Sequence, residues 1–241
     1  MPQKLLIDAD ILVYQYSVTV EHEVDWGDDV WSLWADVKEA KELILNYLES
    51  LKEMTGVDDL VFCFSHKDNF RKTIYPNYKY NRKSKRKPVC YKPVKEWLVN
   101  NYNSAEWEGL EADDVLGILS TSNLVGENNI VVSEDKDLLT IPGLLWRNGE
   151  LLIIKKDQAD YNHLYQTLVG DTTDGYGGLK GVGHKRALEI LKTPTWDAVL
   201  KAYLKAGYTK EDAITQARLA RILRFSDWDD KNKKPILWSP K

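Results

Sequence analysis

Two short apolar segments of this sequence are each followed directly by acidic side chains, and this pattern strongly restricts the folds open to the chain. Leu5–Ile7 precedes Asp8, and Ile130–Val132 precedes the sequence Ser-Glu-Asp-Lys-Asp, which contains Asp135 and Asp137. Short apolar runs of this kind are typical of buried strands. Segments with helical periodicity separate them, so the order of elements predicts an α/β fold with a mostly parallel central sheet flanked by helices.

Other patterns complete this outline. Leu60–Phe64 and Leu151–Ile154 are predicted to be further strands. A helix is predicted from apolar residues at helical spacing, namely Trp34, Val37, Ile44, Leu48 and Leu51. The 241 residues suit one core with a helical appendage. We therefore expect an α/β core over residues 1–160, including a basic segment at 70–95, and a helical region over 161–241.

Composition and the start of the chain indicate the cellular environment. Hydrophobic residues make up 43% and charged residues 29%, but no apolar run approaches the ~20 residues that span a bilayer. A strand-like run follows the first residues directly, so we expect no signal peptide. Cys63 and Cys90 are too few for a disulfide framework or a zinc site. We expect a cytoplasmic protein with no membrane association.

The basic segment is unusual in an otherwise acidic chain. Residues 71–95 contain ten lysines and arginines, no acid and four tyrosines, whereas the rest of the chain carries 23 basic against 37 acidic side chains. Pro76, Pro88 and Pro93 exclude one long regular helix. A solvated flexible arm is one interpretation. The other is a nucleic-acid contact, with cations for phosphates and rings for bases.

Further acids occur in two clusters outside the strands. Glu111, Asp113 and Asp114 lie at the start of a predicted helix, and Asp171 and Asp174 lie in Gly-Asp-Thr-Thr-Asp-Gly. Each acid alone could be a helix cap or a turn residue. Gathered at the carboxyl edge of a parallel sheet, they would repel one another unless cations neutralised them. Oxygen ligands favour magnesium or manganese over zinc, and a two-metal site hydrolyses phosphodiesters.

Several sequence motifs, taken in order, resemble one family. They are Asp8 after a strand, Phe70-Arg71, Pro76-Asn-Tyr-Lys-Tyr-Asn-Arg82, Glu111-Ala-Asp-Asp114, Ser133-Glu-Asp-Lys-Asp137, Gly170-Asp-Thr-Thr-Asp-Gly175 and Gly178-Leu-Lys-Gly-Val-Gly-His-Lys185. This order resembles the flap endonuclease superfamily of structure-specific 5′ nucleases, above all the replication 5′→3′ exonucleases of tailed phages. Ala217–Phe225 is similar to the phage branch as well.

The resemblance implies a role for particular residues. Those matching the metal-binding acids are Asp8, Glu111, Asp113, Asp114, Asp135, Asp137, Asp171 and Asp174. Lys79 and Arg82 match the catalytic cations at the base of the family's arch. Tyr78 matches a ring that stacks on the terminal base, and Arg71 and Lys83 are assigned to the substrate with it. Those matching the duplex-gripping turn, where a potassium ion can bind, are Gly178, Gly181, Gly183 and Lys185.

The sequence departs from the family pattern in two places. Where the family has an acid beyond the strand at Leu60–Phe64, this chain has His66, with Asp68 two residues further on, and either Asp68 takes over or the site has one acid fewer. Only 28 residues separate Arg82 from Glu111, which is short for a threading arch. Trimming of free ends is therefore favoured over threading of long flaps. Asp10 has no counterpart among the family's acids and is interpreted as a turn residue.

These inferences lead to a specific functional hypothesis. We expect a monomeric 5′→3′ exonuclease with two Mg²⁺ ions, for which Mn²⁺ can substitute, acting on duplex DNA at 5′ ends, nicks or short flaps. RNA primers in RNA–DNA hybrids during phage replication are a further expected substrate. One alternative is an RNA-directed PIN-like nuclease, which would lack the glycine-rich element of residues 170–187. The other, a catalytically silent DNA-binding scaffold, would not need so many acids.

Overall fold

The computed structural model describes residues 2–82 and 85–240, so the predicted substrate residue Lys83 lies outside the described residues. The strands are β1 (Leu5–Asp8), β2 (Glu21–Asp25), β3 (Trp31–Ala35), β4 (Leu60–Phe64), β5 (Ser104–Glu106), β6 (Ile130–Val132), β7 (Gly143–Arg147), β8 (Glu150–Ile154), β9 (Trp228–Asp229) and β10 (Lys234–Pro235). The α-helices are α1 (Ala9–Thr19), α2 (Val37–Thr55), α3 (Arg71–Ile74), α4 (Tyr91–Asn101), α5 (Ala112–Ser120), α6 (Lys156–Val169), α7 (His184–Ile190), α8 (Trp196–Lys205) and α9 (Lys210–Ala220).

A six-stranded sheet forms the centre of the fold, in the order β5-β4-β1-β6-β7-β8. The first five strands are parallel, and only β8 runs antiparallel to its neighbour β7. β1 lies between β4 and β6, with Leu5 in register with Leu60 and Ile130. The carboxyl ends of β1, β4 and β6 therefore meet at one edge, as the acid-terminated strands predicted.

Both faces of the sheet are covered, which explains why β1 is a continuous apolar run. Leu5 and Ile7 point to a core shared with α1, α2 and α4. Leu6 points the opposite way, into a second core with α5 and the segment around Leu223. Alternate strand residues thus serve different layers. The predicted mostly parallel α/β sheet flanked by helices is confirmed. None of the described helices is long and apolar enough to cross a membrane.

The predicted start of the first long helix is wrong. α2 begins at Val37, where the Asp36 side chain accepts a hydrogen bond from the Lys38 amide and caps the helix. Trp34 belongs instead to β3, which pairs with β2 in an antiparallel hairpin, and 57% of its surface is exposed. The helical spacing between Trp34 and Val37 is a coincidence, because the helix begins only after its cap at Asp36.

The C-terminal third is largely helical. α6 to α9 enclose a separate cluster of buried residues, among them Leu168, Leu179, Val199 and Tyr203. Residue 160, where the sequence places the boundary between the two regions, lies inside α6. Ahead of α7, a glycine-rich loop carries Asp171 and Asp174 back towards the carboxyl edge of the sheet.

Candidate active site

A cavity of about 280 Å³ opens at the carboxyl edge of the sheet. The acids that line it are Asp8, Asp10, Glu111, Asp113, Asp135, Asp137, Asp171 and Asp174. Three cations, Lys79, Arg82 and Lys136, line it as well. The structure thus brings together seven of the eight predicted acids, from β1, α5, the segment after β6 and the loop before α7. Parallel strands and the return of this loop explain how acids so distant in sequence converge.

Local helix-capping chemistry holds several of these acids in place. Asp8 ends β1 and caps α1, accepting a hydrogen bond from the Ile11 amide at 3.2 Å. Asp135 follows β6 and caps a 3₁₀ helix, accepting from the Asp137 amide at 2.8 Å. Glu111 occupies the cap position of α5. Carboxylates are favourable at helix starts, where free amides point at them, so the fold supplies rigid supports for the acids.

The centre of the cavity is crowded with negative charge. The pKa of Asp8 is raised to about 7. Burial is the main cause, the hydrogen bonds to Ser133 and Ile11 oppose it, and the nearby Asp10 and Asp135 carboxylates add to it. Burial, with Asp8 and Asp135 beside it, also raises the pKa of Asp113 well above its usual value. Like charges confined together favour protonation unless a cation is present. These groups are therefore suited to binding a positive charge.

Lys136 bridges two acids at the edge of the cavity. Its Nζ lies 3.6 Å from an oxygen of Asp137 and 3.4 Å from an oxygen of Asp171. Burial, reinforced by Asp135, raises the pKa of Asp137 to about 6. The sequence analysis did not assign Lys136 to the site. Its position between two acids of the Ser-Glu-Asp-Lys-Asp motif was the available signal.

Lys79 and Arg82 also line the cavity and are paired with acids. Lys79 contacts Glu111 and approaches Asp174 at 3.4 Å, and Arg82 approaches Asp174 at 2.6 Å. Burial alone would raise the pKa of Glu111, but Lys79 and Arg71 outweigh it and lower that pKa to about 2. Lys79 has a φ of +54° and its amide donates to the Asp174 carbonyl, so the backbone accepts a strained conformation to hold the lysine here.

Arg71 and Asp114 are not in the cavity, and their predicted roles are wrong. Arg71 is 2% exposed and Asp114 is fully buried. The guanidinium donates to both oxygens of Asp114, to Glu111, and to the carbonyls of Leu219 and Arg221. These bonds engage all of its donors, and Asp114 also accepts from two backbone amides. Arg71 therefore cannot contact a substrate, and Asp114 has no lone pair left for a metal.

Tyr78 and Gly178 are also structural and not substrate-binding. Tyr78 is 3% exposed, its hydroxyl donates to Glu111 and Asp174, and its ring lies beside that of Tyr176. It has no free face for a nucleotide base. The Gly178 amide donates to Gln216, and its Cα packs against Gly170, where a Cβ would clash. The burial of Tyr78 and the bond from the Gly178 amide to Gln216 leave neither group free for the contact that the resemblance implies.

The remaining predicted DNA contacts are exposed and lie outside the cavity. Gly181, Gly183 and Lys185 are on the surface before and at the start of α7. At the end of β4, His66 accepts hydrogen bonds from the amides of Asp68 and Gly109 and does not line the cavity, nor does Asp68. Neither residue replaces the acid that the family pattern expects there.

The donor set fits a hard divalent ion. Every side chain with metal-ligating character that lines the cavity offers oxygen. Burial first, and neighbouring carboxylates second, raise the pKa values of Asp8 and Asp113. Within residues 2–82 and 85–240, however, no three acidic, histidine or cysteine side chains are spaced to enclose an ion directly. Lys79 and Lys136 instead bridge pairs of acids.

A parallel sheet with an acid-lined cavity at its carboxyl edge suits metal-dependent phosphodiester hydrolysis, and comparison with known proteins identifies the class as nucleases. Residues 4–161 match the family model described as 5′-3′ exonuclease, N-terminal resolvase-like domain. The chain belongs to the 5′–3′ exonuclease family and is an enzyme of the nuclease type. The resemblance seen in the sequence is thereby confirmed.

Two of the relatives are phage enzymes. The exodeoxyribonuclease of Enterobacteria phage T3 and the exonuclease of Escherichia phage T7 are each 31% identical over 98% of this chain and 93% of their own length. A phage T5 protein co-crystallised with metal ions shares the fold, with a TM-score of 0.70 and 14% identity over 91% of this chain and 89% of its own. The phage T5 flap endonuclease was also solved with DNA and metal ions, again with a TM-score of 0.70, at 15% identity over the same shares of the two chains.

Proposed function

We propose that this protein is a magnesium-dependent 5′→3′ exonuclease that trims duplex DNA from 5′ ends, nicks and short flaps. The single observation that carries the proposal is the cavity in which eight acids face Lys79, Arg82 and Lys136. Phosphodiester hydrolysis requires that the negative charge of the scissile phosphate be neutralised. The acids of the cavity can bind metal cations, and its lysine and arginine side chains can contact the phosphate. The 5′-3′ exonuclease family model supports the direction, and the name of the phage T3 exodeoxyribonuclease supports DNA as the substrate.

Two Mg²⁺ ions, or Mn²⁺ in their place, would activate the attacking water and stabilise the leaving oxygen. The side chains proposed to hold them are Asp8, Glu111, Asp113, Asp135, Asp137, Asp171 and Asp174. Lys79 and Arg82 are proposed to hold the scissile phosphate. In the DNA-free protein they are bound to Glu111 and Asp174, so both acids keep them at the phosphate position until a substrate arrives.

Residues 161–241 are proposed to grip the duplex. Gly181 and Gly183 are exposed on one turn, with Lys185 following them, an arrangement suited to a phosphate backbone and to a K⁺ ion bound beside it. Residues 1–160 would carry the chemistry. The DNA complex of the phage T5 flap endonuclease, which shares the fold, supports DNA binding. Lys83, which the resemblance assigns to the substrate, remains part of this proposal.

RNA primers in RNA–DNA hybrids are proposed as additional substrates, since nothing in the acid cavity distinguishes a deoxyribose. A role in phage DNA replication, carried out by a monomer in the cytoplasm of the host, is also part of the proposal, and the similarity to the phage T3 and T7 nucleases supports its phage setting. An RNA-directed activity and a silent scaffold are the two outcomes that would replace this proposal.

The product lengths released from 5′-labelled substrates test the proposal directly. Blunt duplex, nicked, short-flap, single-stranded RNA and RNA–DNA hybrid substrates are compared with Mg²⁺ and with EDTA, using the wild type and Asp135→Asn. We expect mononucleotides or short oligonucleotides from the duplex DNA substrates, in Mg²⁺ only, and almost none with Asp135→Asn. Asp135→Asn should bind duplex DNA as well as the wild type, because it removes a negative charge. Cleavage confined to single-stranded RNA, or normal turnover of Asp135→Asn, would overturn the proposal.

A further inference from the structure

Asp10 lies on the cavity wall two residues beyond Asp8, although its sequence context predicts only a turn residue. One carboxylate oxygen accepts a hydrogen bond from the Ser65 amide at 2.9 Å, directly after β4. The other accepts from the Tyr91 hydroxyl at 2.8 Å, at the start of α4. Asp10 thus joins three elements around the cavity and is half-buried. The pair Asp8 and Asp10 repeats the spacing of Asp135 and Asp137.

The position of Asp10 coincides with a gap in the acid set. The family pattern expects an acid after β4, but His66 is bound to loop amides there, and the Asp68 side chain is 71% exposed to solvent. Asp10 brings a carboxylate to the same strand end from a different element, through its bond with Ser65. It is therefore placed to supply the negative charge that the residues after β4 do not.

Tyr91 holds this carboxylate in a defined orientation. Its ring is buried, and the Lys87 ammonium lies 3.9 Å from the ring centre, so a residue of the basic segment covers it. Lys87 belongs to the segment proposed to meet DNA. The hydroxyl has no other acceptor within the described hydrogen bonds. Each Asp10 oxygen accepts one of these bonds and keeps a second lone pair.

We propose that Asp10, held by Tyr91, is a positioning residue for a hydrated divalent cation in the cavity. Mg²⁺ keeps several of its waters when it binds to protein, and carboxylates that accept hydrogen bonds from such waters orient the ion. The free lone pairs of Asp10 suit this task. The inference rests on the proposed function, because it presupposes that the cavity binds Mg²⁺ or Mn²⁺.

Direct Mn²⁺ binding to the DNA-free full chain tests the inference without any measurement of cleavage. Free Mn²⁺ is followed by electron paramagnetic resonance for the wild type, Asp10→Asn, Tyr91→Phe and Asp113→Asn. We expect Asp10→Asn to bind Mn²⁺ roughly 10- to 100-fold more weakly, the usual cost of losing a residue that orients a metal ligand. Tyr91→Phe should bind Mn²⁺ several-fold more weakly, because the Asp10 carboxylate is no longer held. Thermal unfolding in EDTA checks that each variant is folded.

The outcomes separate this inference from the proposed function. If the wild type binds no Mn²⁺, the proposed function itself fails. If Asp113→Asn binds Mn²⁺ weakly but Asp10→Asn binds it within twofold of the wild type, only the role of Asp10 is overturned. Asp10 then serves only to link α1 to α4. Should Asp10→Asn not fold, Tyr91→Phe decides, since an unchanged Mn²⁺ affinity overturns the inference.

A second readout uses cleavage at graded Mg²⁺ concentrations. Asp10→Asn should need about tenfold more Mg²⁺ for its half-maximal rate, in line with the lower metal affinity. Its affinity for duplex DNA, measured in EDTA, should equal that of the wild type. A purely structural role would lower the rate at every Mg²⁺ concentration without moving the midpoint, and that result would count against the inference.

Discussion

Arg71 donates one hydrogen bond to each carboxylate oxygen of Asp114, both at 2.7 Å, in the interior of the protein. Both side chains belong to motifs that resemble the nuclease family, yet neither faces the cavity. The pair instead joins α3 to α5, and through the Leu219 and Arg221 carbonyls it reaches the end of α9. Its position behind Glu111 indicates that it supports the wall on which the site is built.

Breaking the pair of Arg71 and Asp114 should lower the free energy of unfolding substantially. Arg71→Met leaves Asp114 buried without its cation, which we expect to cost about 3–5 kcal/mol of the free energy of unfolding. Urea denaturation measures this loss. The double variant Arg71→Met with Asp114→Leu should recover part of it, because no unpaired charge remains. A folded Arg71→Met protein of normal stability that has lost DNA affinity would restore Arg71 to the substrate.

Asp8 should make the stability of the metal-free protein depend on pH. Burial raises the pKa of Asp8 to about 7 in the folded state, against 3.8 for an exposed aspartate, so the folded protein holds this proton more tightly than the unfolded chain does. Stability contributed by the proton is complete below about pH 4 and is lost as the pH rises through 7. Asp8→Asn lacks this loss. Its advantage over the wild type should grow across this range to roughly 4 kcal/mol at most.

Urea unfolding in EDTA at several pH values between 4 and 8 checks the prediction for Asp8. Asp68→Asn, at an exposed position outside the cavity, serves as a control for the removal of one negative charge. Excess Mg²⁺ should reverse the order at pH 8, since an ion that binds only the folded wild type stabilises it. A constant difference between Asp8→Asn and the wild type at all pH values would show that Asp8 ionises as an ordinary carboxyl.

Lys79 and Arg82 should act on the rate of cleavage more than on DNA affinity. Lys79→Met or Arg82→Met removes a donor placed for the developing charge on the phosphate, and we expect single-turnover rates to fall by about a hundredfold or more. Lys85→Ala, at an exposed position in the same basic segment, is the matched control and should mainly weaken binding. If all three variants changed only the dissociation constant, the segment would be a plain electrostatic arm.

Tyr78→Phe distinguishes support of the acids from stacking on a base. The variant keeps the ring but loses the hydroxyl that donates to Glu111 and Asp174. Hydrogen bonds to charged groups contribute about 1.5–3 kcal/mol each, so the free energy of unfolding should fall measurably. Denaturation experiments and single-turnover rates provide the two readouts. Unchanged stability with unchanged cleavage would indicate that the hydroxyl is dispensable.

Two glycines of one loop should respond in opposite ways to a side chain. At Gly178 φ is +59° and a Cβ would lie 2.4 Å from the Gly170 amide, so Gly178→Ala should destabilise the fold. Around Gly183 a Cβ meets nothing within 4 Å, so Gly183→Val should fold. If the turn binds DNA, Gly183→Val weakens duplex binding far more than single-strand binding. Equal losses on both would make the turn purely structural.

Salt dependence tests the neighbouring lysine separately. Lys185 is exposed at the start of α7, where a phosphate of bound DNA would lie. Lys185→Ala should reduce the slope of log affinity against log salt by about one, because one phosphate contact is lost. The slope is measured by titration of a fluorescent duplex. An unchanged slope would show that Lys185 does not contact a phosphate of the bound duplex.

The class of fold and most residues of the site can be predicted from local sequence patterns. Leu5–Ile7 and Ile130–Val132 are short and apolar because both faces of the sheet are covered, and acids follow them because strand ends and helix starts favour carboxylates. Such local rules leave a readable pattern. They do not report on burial, and for this reason Asp114 could not be distinguished from Asp113, its neighbour in the same helical turn.

The tertiary structure alone decided which motif residues face the cavity. One helical position rotates a side chain by about 100°, so Asp113 enters the cavity while Asp114 turns inward to Arg71, some forty residues away in sequence. Asp10 reaches the cavity only because Ser65 and Tyr91 come from other elements to hold it. These partners are distant along the chain, and their meeting depends on how the layers pack, which no local spacing encodes.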